Sequence, residues 1–88
     1  MPDRDQVRET MQRVLGNVLR DAGRPVPPFH DDATLTDGLR LDSLDFAVTI
    51  VQLERDLGVD PFRTNPPRVR TFADLVEVYE QALANREI

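Results

Sequence analysis

The chain has 88 residues, 40% apolar and 31% charged, with a formal net charge of −5 and no cysteine. That length allows one domain with a modest core, and the apolar share is that of a globular chain. The acidic balance argues against a nucleic-acid binder, whose footprint is basic, and suits partners with basic patches. Without cysteine there is no disulfide, no thiolate nucleophile and no thiolate metal site.

No run approaches the ~20 apolar residues of a membrane span. The N-terminus, with Asp3 and Asp5, lacks the basic-then-apolar layout of a signal segment. A cytoplasmic, standalone, monomeric chain is expected. All 11 basic residues are arginine, a bias that fits a GC-rich coding genome.

The spacing predicts a first helix from about Asp3 or Asp5 to Ala22. Val7, Met11, Val14, Leu15, Val18, Leu19 and Ala22 make one apolar stripe, and Gly23 supplies the stop. Asp3 and Asp5 stand at the end where acids favour the helix dipole. Arg4, Arg8, Arg13 and Arg20 balance Asp3, Asp5, Glu9 and Asp21, so this helix reads as scaffold.

From Gly23 to Asp42 the pattern breaks, because Pro25, Pro27 and Pro28 exclude a helix and hold their predecessors extended. About 20 residues without regular structure is long for a compact domain, so the loop is expected to be functional or tied down. Leu35, Leu39 and Leu41 are the expected anchors, with Phe29 a weaker one and a short turn near Asp32–Thr36.

A second helix is predicted from Asp42 or Ser43 to Leu57, with Asp42 as N-cap and Asp45 completing a shortened capping box. Phe46, Ile50, Leu53 and Leu57 form a stripe expected in the core. Leu44, Ala47, Val48 and Val51 form another, expected to lie partly exposed beside Ser43. Gly58-Val59-Asp60-Pro61 ends the helix. Phe62 to Arg70 then carries Pro66-Pro67 and three arginines, Arg63, Arg68 and Arg70, against no acid. A last helix is predicted from the cap Thr71, with Asp74 three residues on. Phe72, Leu75, Val76, Tyr79, Ala82 and Leu83 form its core stripe, and fraying is expected from Asn85.

Ser43 is the centre of the pattern. A serine in a helix's first turn is often only a cap. The same place also suits a phosphate ester, because unpaired N–H groups and the dipole favour negative charge there. A catalytic serine would need an oriented base, and the only histidine, His30, lies in the proline-rich loop without a Gly-x-Ser-x-Gly elbow at Ser43. His30-Asp31-Asp32 lacks the spacing of a closed metal site, so no metal is expected.

Asp42-Ser43-Leu44, led in by Gly38-Leu39-Arg40-Leu41 and followed by Asp45, resembles the prosthetic-group site of acyl carrier proteins. The likeness extends to Leu35, Leu53, Glu54, Leu57, Gly58-Val59 and the entry Val69-Arg70-Thr71-Phe72. It implies an all-α, four-helix bundle, three helices long and one short or irregular. The short third helix is doubtful here, since Pro66-Pro67 and the arginines make a loop or single turn the expectation.

The resemblance further implies that a phosphopantetheinyl transferase joins 4′-phosphopantetheine from coenzyme A to Ser43 as a phosphodiester. The terminal thiol of that arm then carries acyl intermediates as thioesters to acyl-activating and acyl-transferring enzymes of fatty-acid, polyketide or specialised lipid synthesis. The chain itself would catalyse nothing. Asp42, Leu44, Asp45, Val48 and Val51 are implied as the partner-recognition face. Val48 and Arg55 stand where fatty-acid carriers often have acids, so the face is more apolar and less acidic than the family norm. A peptidyl or aminoacyl carrier remains open, as does an unmodified helical interaction module using the apolar stripe.

Overall fold

The computed structural model describes residues 3–63 and 66–86. Three helices follow in order, α1 Arg4–Asp21, α2 Ser43–Leu57 and α3 Phe72–Arg86. Among the described residues no strand forms, only an isolated antiparallel bridge between Thr34 and Thr71. The protein is therefore an all-helical bundle. The fourth helix is not found: from Gly58 to Thr71 the described residues make a single turn and otherwise irregular chain, and Thr64 and Asn65 lie outside them.

Helix α1 packs against both α2 and α3. Its buried stripe is Val7, Met11, Val14, Leu15, Val18 and Leu19, whereas Ala22, placed in that stripe by spacing, lies exposed beyond the helix end. Asp3 caps it, its carboxylate accepting from the Gln6 N–H at 2.9 Å while the Gln6 side chain accepts from the Asp3 N–H at 3.1 Å. At the other end Gly23 turns left-handed at φ 75°. The Gly23 N–H then donates to the Arg20 carbonyl and the Arg24 N–H to that of Leu19, at 3.0 and 2.9 Å. This pairing satisfies two orphan carbonyls and sends the chain sharply away from the helix axis.

The long loop is tied down as its leucines suggested. Leu35, Leu39 and Leu41 are buried in the core, and Phe29 packs half-buried on the Phe72 ring at 5.5 Å. Backbone bonds add to these anchors, because the Leu35 N–H donates to Arg70, and Phe72 and Ala73 donate back to Ala33 and Asp31. Those bonds fix the loop against the start of α3. Gly38 sits so near Thr34 that a Cβ would stand 2.9 Å from its backbone atoms, so a side chain there would force the turn open.

Phe62 stands where a third helix would sit. The Asp60 carboxylate accepts from the Phe62 N–H at 3.0 Å, closing a turn that aims the ring inwards. The ring meets Phe46 of α2 edge-on at 5.5 Å and lies 6.3 Å from Tyr79 of α3, bridging the two helices. Behind it the Tyr79 hydroxyl is fully buried and has no hydrogen-bond partner among the described residues. Burial, and then the carboxylates of Asp60 and Glu54, push its pKa up. Fraying expected from Asn85 is not found at Asn85 and Arg86, which remain in α3, while Glu87 and Ile88 lie outside the described residues.

An unpartnered buried hydroxyl carries a desolvation cost, and removing it relieves that cost. Tyr79→Phe is expected to leave stability unchanged or raise it by up to ~1 kcal/mol. Leu53→Ala, at a fully buried site, should cost ~2–5 kcal/mol. Urea unfolding midpoints of the two variants check the pair.

Candidate functional site

Helix α2 begins with Ser43, exposed, directly after the N-cap Asp42. The cap closes reciprocally: the Asp42 carboxylate accepts from the Asp45 N–H at 2.8 Å, and the Asp45 carboxylate accepts from the Asp42 N–H at 3.3 Å. Both acids of the expected capping box are thus engaged by the backbone.

They are engaged a second time by Arg24. Its guanidinium bonds the Asp42 carboxylate at 2.8 Å, pairs with the Asp45 carboxylate, and donates to the Arg40 carbonyl. Arg40 holds a left-handed backbone at φ 60°, a conformation that costs about 1–2 kcal/mol for a residue with a Cβ. One cation in the loop after α1 therefore gathers three acceptors around the entry to α2. The Asp45 N–H, and next Arg24, hold the Asp42 carboxyl below the usual carboxylate range. The hydrogen bond to Asp42 in turn raises the Arg24 pKa.

The residues assigned to the partner face divide into two groups. Leu44, Val48 and Val51 are exposed, at 71%, 38% and 59%, on the outer side of α2. Val48 and Val51 line a shallow depression with Ala47, Gln52 and Arg55. Asp42 remains accessible, but Asp45 is only 6% exposed, turned towards Arg24. Beside it the buried Thr49 hydroxyl is satisfied by donating to the Asp45 carbonyl at 2.8 Å.

On the other side of Ser43 opens a groove of about 1010 Å³. Leu35, Leu41, Phe46, Phe62 and Val69 supply an apolar surface, and Asp42, Arg68, Arg70 and Asp74 stand around it. Asp74 caps α3, accepting from the Arg70 and Thr71 N–H groups at 3.1 Å each, and those bonds lower its pKa. His30 is not part of this groove, and no cluster of three or more metal-ligating side chains occurs among the described residues.

Arg24 and the groove were not anticipated from sequence. Arg24 lies 18 residues before Asp42 in a loop without periodicity, so no local signal marks it. The groove needs Phe62 and the Pro66–Arg70 segment folded back towards Ser43, which proline content alone does not specify.

An exposed serine opening a helix, capped by flanking aspartates and bordered by an open apolar groove, is a place where a long flexible group can be attached and accommodated. A family model described as the phosphopantetheine attachment site matches residues 5–77. The chain belongs to that family. Domains of this family are carriers of covalently attached 4′-phosphopantetheine and are generally not catalytic. No curated protein and no solved structure matches the chain. No helix of the described residues is long and apolar enough to cross a membrane.

A carboxyl whose folded pKa is lowered stabilises the fold above its ordinary pKa of about 3.9, and that contribution is lost as pH falls through the folded value. Asp42→Asn is therefore expected to flatten the acid limb of the stability-against-pH curve. In Arg24→Gln the Asp42 midpoint, followed by carboxylate-carbon NMR, should rise yet stay below the ordinary value, since the Asp45 N–H still donates. An unmoved midpoint would show that Arg24 contributes nothing to the site's electrostatics.

Proposed function

We propose that this phosphopantetheine carrier is an acyl carrier protein whose Ser43 bears the arm. One observation carries the reading: Ser43 is the exposed first residue of α2, between the capping aspartates and at the edge of the groove. In the loading step a phosphopantetheinyl transferase deprotonates the Ser43 hydroxyl. A bond forms from Ser43 Oγ to the phosphorus carrying pantetheine, and the pyrophosphate bond of coenzyme A breaks as its nucleotide part leaves. The arm's terminal thiol then holds the acyl group as a thioester, which suits a chain without cysteine of its own. The chain performs no chemistry, and pathway enzymes act on the cargo it presents.

Partner recognition falls to Leu44, Val48 and Val51 as an apolar face, with Asp42 at its edge and Asp45 positioning the cap through Arg24. With an arginine, Arg55, in the depression beside Val48 and Val51, this face suits partners that dock by apolar contact more than by basic clusters. Such partners differ from a general fatty-acid synthase set.

Incubation with coenzyme A, magnesium and a broad-specificity transferase is expected to add one phosphopantetheine to the parent and none to Ser43→Ala, read by intact mass. No gain, with the transferase active on a control carrier, removes Ser43 as the attachment residue. In exchange assays the loaded chain should serve generic fatty-acid enzymes poorly, and equal service would sink the distinct-partner reading.

A further inference from the structure

The segment after α2 carries three arginines, and the structure separates them. Arg63 is paired with Glu54 at 2.7 Å and approaches Asp60 at 3.8 Å. Arg68 and Arg70 make no ion pair among the described residues, and both line the groove that Ser43 borders.

The acids around that groove are differently placed. Asp74 is taken up by two backbone N–H groups, and Asp42 by the Asp45 N–H and Arg24. In a chain of net charge −5, this groove is thus lined by two exposed arginines that stand outside the ion pairs, the charge of Arg70 being felt also by the Asp74 carboxylate.

We propose that Arg68 and Arg70 form a seat for the phosphodiester of an arm joined to Ser43. The inference depends on Ser43 being the attachment residue. Three physical points carry it. A phosphodiester on Ser43 would add negative charge directly beside Asp42, whose carboxyl is held ionised. Arg24, the nearer cation by contact, is already committed to Asp42, Asp45 and the Arg40 carbonyl. Guanidinium groups match phosphate oxygens in geometry and charge, so Arg68 and Arg70 are the groups left to balance the new anion. The apolar surface from Leu35, Leu41, Phe46, Phe62 and Val69 then gives the methyl-bearing arm somewhere to lie out of water. The basic segment after α2 thereby gains a role toward the prosthetic group.

The test uses the holo protein, prepared with coenzyme A and a broad-specificity transferase and verified by intact mass. Phosphorus NMR reads the phosphodiester, and a disulfide-exchange reagent reads the accessibility of the terminal thiol. In the parent the thiol is expected to react several-fold more slowly than free pantetheine, and that protection should fade as salt screens the pair. Arg68→Gln/Arg70→Gln should shift the phosphorus resonance and bring thiol reactivity close to that of free pantetheine. Arg63→Gln, removing a charge from the same segment outside the groove, should change neither.

Identical resonance and reactivity in the parent and the double variant would overturn the seat while leaving Ser43 as the carrier residue. An Arg63→Gln effect as large as that of the double variant would also overturn it, in favour of a general charge effect. Failure of the parent to gain mass would instead remove the attachment reading, and the seat with it. Unfolding midpoints of all variants confirm that each is compared as a folded protein.

Discussion

The geometry around Ser43 depends on one cation. Arg24 leaves α1 through the left-handed turn at Gly23 and reaches two carboxylates and a carbonyl that would otherwise be poorly matched neighbours. Asp42 and Asp45 are three residues apart in the same first turn, where like charges repel. The carbonyl of Arg40 belongs to a residue in a disfavoured backbone conformation. A planar guanidinium with donors on several edges can serve all three at once, which an ammonium could not do with the same directionality. The loop after α1, the approach to α2 and the orientation of its first turn are thereby made one unit.

That arrangement redistributes the surface character of α2. Acid is drawn inwards and sideways, while Leu44, Val48 and Val51 are left facing solvent. If this is the docking face proposed above, a cation sitting on the acids would weaken long-range attraction of a basic partner and leave burial of the leucine and valines to stabilise the encounter. On the opposite side, the Phe62 ring bridges α2 and α3 and lines the groove.

Much of this was legible in the sequence because the signals were local. The stripe of α1, the Asp42–Asp45 capping box, the left-handed stop at Gly58 and the Thr71–Asp74 cap each arise from residues within a turn or two of one another. The leucines of the long loop were also readable, since large apolar residues in a polar stretch have few places to go. What escaped was set by contacts distant in sequence: the Arg24 bridge, the Arg63 pairing with Glu54, and the burial of Asp45 and Thr49 on an otherwise apolar face. The stripe position expected at Ala22 failed for a simpler reason, because the helix ends at Asp21 and Ala22, its C-cap, lies exposed.

The cations around the groove have one further property. The chain has no lysine, and a guanidinium stays protonated at any physiological pH, with no free lone pair to attack a carbonyl. An amine held in the same groove would be tethered near its own thioester, where proximity alone accelerates capture of the acyl group by large factors. Self-acylation of that kind would strand the cargo as an amide that no exchange reaction could recover. In the proposed arrangement, charge supplied by Arg68 and Arg70 would leave an activated ester chemically undisturbed, so a carrier could be basic beside its cargo without consuming it.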